Sequence, residues 1–232
     1  SWNARGKRKR KVSAFVLTNA CNTLRRTGTS SGSATAVFVE LSPLAHAPMS
    51  SSQTHFVPQR HGERHRRQLD AGTYAIVAGG YDNSAPGYAA VVSGGTHNLA
   101  KNYWATVGGG EYNYANKTAA TIGGGRGNVA LEYATIGGGL DNVGADYTTI
   151  GGGKENSASG RLATIAGGYF NIATQGATTI GGGELNTITG YGSTIAGGYE
   201  NTASGTDATI SGGYANVASA TEAVVAGARR RR

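Results

Sequence analysis

The chain has 232 residues, of which 39 are glycine and only 15% charged, with four Phe, two Trp, one Met and one Cys; large apolar side chains are too scarce to fill an ordinary globular interior, so any core must be thin. The single cysteine, Cys21, excludes an intrachain disulfide framework and a cysteine-based zinc site, and no apolar run approaches the roughly 20 residues a membrane-spanning helix needs. The net charge of +8 is unevenly placed: residues 1–72 hold 12 Lys/Arg against 3 Asp/Glu, residues 73–228 hold 5 against 10, and Arg229–Arg232 add four more positive charges, so overall basicity says nothing about the partners of the longer segment.

Residues 1–72 read as a basic, low-complexity tail. They contain no tyrosine, four of the five histidines and two basic clusters, Lys7–Lys11 and Arg60–Arg67. Such composition predicts a mostly disordered, solvated segment; basic runs also attract nucleic acid, which keeps nucleic-acid binding through the tail as one alternative function. Val12–Ala20 follows the first cluster as the apolar part of a signal peptide would, but it is short and broken by Ser13, Thr18 and Asn19. Phe38–Leu44 could supply a short capping strand. His55, His61 and His65 lack an ordered frame to make them a metal site, so no metal is assigned.

From residue 73 to 228 the chain repeats. A β-branched residue recurs at Val77, Val92, Val107, Ile122, Ile136, Ile150, Ile165, Ile180, Ile195 and Ile210, with a Gly pair following two residues later and an asparagine six residues later: Asn83, Asn98, Asn113, Asn128, Asn142, Asn156, Asn171, Asn186, Asn201 and Asn216. The step is 15 residues except for two steps of 14, Ile122 to Ile136 and Ile136 to Ile150. The missing residue always falls after the asparagine, so one part of the unit is rigid and the other is a tolerant loop. Val225 begins an eleventh, broken unit. The unit reads x-Ala-Thr-Ile-Gly-Gly-Gly-x-x-Asn-x-Ala-x-Gly-x.

Ala-Thr-Ile predicts a strand of three or four residues with period-2 alternation. The glycines that follow predict a turn tolerating positive φ, Asn-x-Ala a second short strand, and the Gly, Ser or Asp positions a return loop. Two strands and two turns per period describe one coil of a parallel β-solenoid, about ten coils stacked at the ~4.8 Å spacing of neighbouring strands. Alternation places Ile122, Ile136, Ile150, Ile165, Ile180, Ile195 and Ile210 inside together with the Ala columns, and the threonines outside with the residues two before them. The asparagine column, Asn128, Asn142, Asn156, Asn171, Asn186, Asn201 and Asn216 in its central part, reads either as a ladder of stacked amides or as turn residues in left-handed geometry. One Ile and two Ala per coil bury little surface, which favours assembly of several copies around the solenoid axis.

The unit resembles the head repeat of trimeric autotransporter adhesins, the YadA-like Hep/Hag family, in which a strand of the type Ser-Val-Ala-Ile-Gly is followed by x-x-Ser-x-Ala-x-Gly. Here one Gly is added after the strand, Asn replaces Ser, and Thr stands where that family has Ala. Glycine-rich repeats of this kind are similar to those of bacterial surface fibres and phage tail fibres. The resemblance covers residues 73–228 and implies a left-handed parallel β-roll, a homotrimer, and a role in adhesion at the cell surface or outside the cell.

Three candidate sites remain. Thr121, Thr135, Thr149, Thr164, Thr179, Thr194 and Thr209 form an outward column, read as a subunit contact or solvated face; an ice- or surface-binding face is the alternative, although such faces usually carry two threonine columns. Tyr81, Tyr169, Tyr199 and Tyr214 follow their Gly turns and should be exposed along one edge, as a ligand edge for a host protein or glycan or as turn fillers. Asn116-Lys117-Thr118 is an N-glycosylation acceptor sequence. Against catalysis, no glycine tract fits a phosphate loop, Gly137–Asp141 matches calcium-binding repeats poorly, and His97 is the only histidine of the array, with no recurring acid–base pair beside it. The reading is a non-catalytic structural or adhesive module, without cofactor, whose main partner is itself.

Overall fold

The computed structural model describes residues 69–227 as an all-β parallel solenoid without a helix. Its strands run from β1 (Leu69–Ala71) and β2 (Ile76–Val77) to β21 (Val217–Ala218) and β22 (Val224–Val225). The odd-numbered strands form one 11-stranded sheet and the even-numbered strands another, so each coil gives one strand to each sheet and lies between its sequence neighbours. Pairing is parallel and in phase: within β10 (Thr135–Ile136), Ile136 faces Ile122 on one side and Ile150 on the other. The two 14-residue steps leave this register intact.

Three details differ from the sequence reading. Apart from β1 the strands have two residues rather than three or four, because the backbone turns immediately on either side of them. A third paired row runs along the coils as single-residue bridges, from Tyr81↔Thr96 to Tyr199↔Tyr214; it holds the residue after each Gly turn, a position the sequence reading gave to a turn. The first strand, β1, lies inside the segment assigned to the tail. Leu69-Asp70-Ala71-Gly72 supplies the second half of a unit, without its asparagine, and pairs with β3 (Ser84–Ala85) through a shifted register. The remaining tail positions, including Lys7–Lys11, Phe38–Leu44, His55, His61 and His65, and the terminal Arg229–Arg232, lie outside the described residues.

The interior is as thin as the composition implies. The Ile/Val column from Val92 to Ile210 and the Ala columns on either side of it are fully buried, and Ile188 and Gly144 stand where most coils have the second Ala. Where the first Ala gives way to a polar residue, its hydroxyl is satisfied internally: Thr148 Oγ1 donates to the Ala145 carbonyl at 2.8 Å, Thr178 Oγ1 to Gln175 at 2.9 Å and Ser193 Oγ to Gly205 at 2.7 Å, as a buried polar group requires.

The asparagines are buried and form the ladder. Asn156 Oδ1 accepts from the backbone N–H of Asn171 at 3.0 Å and from its Nδ2 at 3.1 Å. Asn156 Nδ2 lies 3.1 Å from Asn142 Oδ1, 3.0 Å from the Gly152 carbonyl of its own turn and 2.9 Å from the Gly168 carbonyl of the next. Each amide therefore closes its own Gly turn and ties it to both neighbouring coils. Left-handed geometry is present too, but one residue earlier, at Glu155 with φ 53° and its equivalents. A second left-handed corner precedes the first strand, at Tyr133, Tyr147, Leu162 and their equivalents; Tyr133 thus sits on a corner and not on a strand face shared with Thr135. Most backbone N–H groups donate toward the following coil, as Thr149 does to Ala163 at 3.0 Å and Lys154 to Gly168 at 2.9 Å. The corner residues reverse that direction: Tyr147 donates to Glu132 at 2.7 Å and Glu155 to Leu140 at 2.8 Å. These bonds offset the left-handed strain, which costs on the order of 1–2 kcal/mol per residue.

Two expectations follow from this turn. Asn156→Ala leaves the Gly152 carbonyl and the Asn171 N–H without their partner, while the Gly168 carbonyl keeps the Lys154 N–H; at ~1–3 kcal/mol for each group left unsatisfied, urea unfolding of the full chain should show a loss of at least about 2 kcal/mol. Adjacent glycines should behave oppositely. A methyl on Gly94 meets open space, whereas on Gly95, at φ +88°, it runs into the Gly110 carbonyl of the next coil and the Asn98 amide. Gly94→Ala should change stability by less than ~0.5 kcal/mol, and Gly95→Ala should cost more than about 2 kcal/mol in the same assay.

Candidate functional surfaces

With Ile, Ala and Asn turned inward, everything available to a partner sits on the two outward strand rows and on the corners. Thr121, Thr135, Thr149, Thr164, Thr179, Thr194 and Thr209 occupy the first position of the even-numbered strands and face outward, partly or fully exposed. The residue two positions later is exposed in every coil and small in every coil: Gly108, Gly123, Gly137, Gly151 and Gly181, with Ala78, Ala166, Ala196, Ser93 and Ser211. The face is one hydroxyl-and-methyl row beside a row almost without side chains. The opposite sheet carries Val129, Val143, Ile172, Thr187, Thr202 and Val217 outward, with Val143 and Val217 exposed.

Tyr81, Tyr169, Tyr199 and Tyr214 are exposed and stand on the single-residue bridge row. Two of them touch. Tyr199 and Tyr214 stack with ring centroids 5.3 Å apart and planes 4° from parallel, and Tyr169 is separated from Tyr199 by Glu184 alone in the row. Packing of the neighbouring ring, with Glu184 and Glu200 adding negative charge, pushes the Tyr199 phenol pKa up. Lys154 lies 3.2 Å from Glu155 and 5.1 Å from the Tyr169 ring; the hydrogen bond and charge of Glu155 raise its pKa. Tyr81 stands apart, edge-on to His97 at 5.5 Å. His97 Nε2 is 3.3 Å from Asp82 Oδ2, its ring stacks on Tyr112 at 4.7 Å, and its Nδ1 is buried without a partner.

A second aromatic group escapes the sequence reading. Tyr74, Tyr88, Tyr103 and Trp104 meet on three successive coils, at 5.3 Å for Tyr74–Tyr88, 5.9 Å for Tyr88–Tyr103 and 6.5 Å for Tyr88–Trp104. All four are exposed, Trp104 by 56%. Tyr74 and Trp104 are left-handed corner residues, and Tyr88 and Tyr103 precede that corner by one position. The signal was present: placing these two adjacent columns side by side at the repeat period joins the four rings. Farther along the same edge, Tyr133 and Tyr147 stack at 5.1 Å, Arg161 lies 4.5 Å over Tyr147, and Lys117 reaches across the first shortened coil to Asp146, on the second, at 3.2 Å; Asp146 also accepts the Glu132 N–H at 3.1 Å. Both partners of this ion pair are substantially exposed, so its contribution to stability is small.

Among the described residues no group of three or more His, Cys, Asp or Glu could hold a metal ion, and no helix is long and apolar enough to cross a membrane. No protein-family model matches the chain, and no curated protein matches it.

The corner positions carry strain that glycine removes, and Gly127 and Gly192 already occupy two of them. Ala177, exposed with φ 57°, isolates the effect: Ala177→Gly should stabilise the fold by roughly 0.5–1 kcal/mol in thermal or urea unfolding, the left-handed relief exceeding the entropy lost by glycine.

Proposed function

We propose that this chain is a non-catalytic adhesive module of an extracellular surface or fibre protein, which displays aromatic side chains from the corners of a rigid solenoid. One observation carries the reading: four exposed rings, Tyr74, Tyr88, Tyr103 and Trp104, gathered in mutual contact on three successive coils. Aromatic side chains offer large contact area at small conformational cost, and solvent-facing clusters of them are uncommon unless something covers them. The partner class is a host glycan or protein. The thin core and the resemblance of the repeat to trimeric adhesin heads support a homotrimer. Because Ile136 and its column are used up inside one chain, copies would meet through an outward row instead, and the threonine row with its small neighbours allows the closest approach.

The full chain applied to arrays of glycans and immobilised extracellular-matrix proteins should bind, and the combined Tyr88→Ala, Tyr103→Ala and Trp104→Ala substitutions should weaken that binding by roughly tenfold or more, while Tyr191→Ala leaves it unchanged. Binding that tolerates the triple substitution, or no binding on any surface, defeats the proposal. Light scattering at micromolar concentration should give about three times the single-chain mass; a monomer there removes the trimer.

A further inference from the structure

In a solenoid that advances by one coil per repeat, two tyrosines in the same column of adjacent coils are held next to each other by the backbone, and their side-chain angles decide how nearly parallel the rings lie. This happens with nearly parallel rings at two places. Tyr199 and Tyr214 are bridge partners whose rings lie 5.3 Å apart and 4° from parallel; the backbone spacing is fixed by Tyr199 N–H donating to Gly213 and Ala215 N–H to Tyr199, both at 2.9 Å. Tyr133 and Tyr147 stack at 5.1 Å and 18° on left-handed corners. All four rings are exposed, by 37% to 48%, so an oxidant reaches them from solvent. Other neighbouring rings are less well placed: Tyr88 and Tyr103 are tilted by 33° at 5.9 Å, and Tyr74 meets Tyr88 edge-on.

We propose that Tyr199–Tyr214 and Tyr133–Tyr147 are sites of intrachain dityrosine cross-linking by a haem peroxidase using hydrogen peroxide, each forming a covalent rung between adjacent coils. In each rung both phenols lose one electron and one proton. The two phenoxyl radicals join through a carbon–carbon bond between ring positions ortho to the hydroxyls, and the two displaced ring hydrogens move to the oxygens as aromaticity returns. One hydrogen peroxide is reduced to two waters per link, and the chain becomes lighter by two hydrogens. Encounter of the radicals requires no diffusion, because the ladder supplies the proximity. The proposal is independent of what the module adheres to.

The test treats the full chain, dilute and natively folded, with peroxidase and hydrogen peroxide, and reads dityrosine fluorescence, intact mass and the cross-linked peptides. The expected result is a species of single-chain mass lighter by two or four hydrogens, with links mapping to Tyr199–Tyr214 and Tyr133–Tyr147. Tyr214→Phe and Tyr147→Phe should each remove about half of the intrachain fluorescence, and both together nearly all of it, whereas Tyr191→Phe, an exposed tyrosine with no ring partner among the described residues, should leave it intact. Circular dichroism on each variant verifies that the fold persists, which substitution of an exposed phenol by phenyl should not disturb. Links that form only between chains, that map mainly to Tyr88–Tyr103, or that survive the double substitution overturn the proposal.

Discussion

The architecture depends on one recurring contact, the buried asparagine amide set against the glycine turn of its own coil and that of the next. A coil of 14 or 15 residues has too few apolar atoms to fix its own shape; what fixes it is that the coil before and the coil after present carbonyls at the right height. Asn156 Nδ2 reaches the Gly152 and Gly168 carbonyls while its Oδ1 receives Asn171. That geometry demands a backbone at Gly153 so close to Gly168 that no Cβ fits between them. The asparagine and the last glycine of the turn are therefore a single device repeated along the chain, and the Ile and Ala columns fill the space it leaves. Stability in such an array is carried by interfaces between neighbours and not by any one coil.

Much of this was legible because the period is short and nearly invariant. The Ile, Ala and Asn columns, the coil count and the parallel stacking all followed from aligning the repeats, since the inward residues answer to the same neighbours every time. What was not legible is local backbone geometry. Positions such as Tyr147 and Glu155 are left-handed although their residue types vary freely, from Trp104 and Leu162 to Asp207; no residue preference marks them, because the neighbouring coil's carbonyl imposes the conformation through a reversed hydrogen bond. The third paired row went unread for the same reason, its residues running from Tyr81 through Arg126 to Glu184. At Leu69–Ala71 the asparagine signal is missing, and the first strand was hidden with it.

The same division separates scaffold from surface. Inward positions admit only Ile, Val, Ala, Gly, Asn or a small hydroxylic residue, while corner positions tolerate almost anything and project it into solvent. Aromatic residues on those corners and beside them are free to gather on consecutive coils, as Tyr88, Tyr103 and Trp104 do. A ligand edge built in this way can change identity without disturbing the interior, which suits a surface module whose partner varies more than its frame.

The two shortened coils show how far that tolerance extends. Ile122, Ile136 and Ile150 remain in phase across both, and the asparagine ladder passes through Asn128, Asn142 and Asn156 without a break. Chain length can therefore change at the return loop while the helical pitch of the whole array stays constant. Lengthening that loop would extrude an arm sideways at a chosen height, and trimming it leaves the stack in register. The loop is the one seam where new pieces can be grafted without retuning the rest.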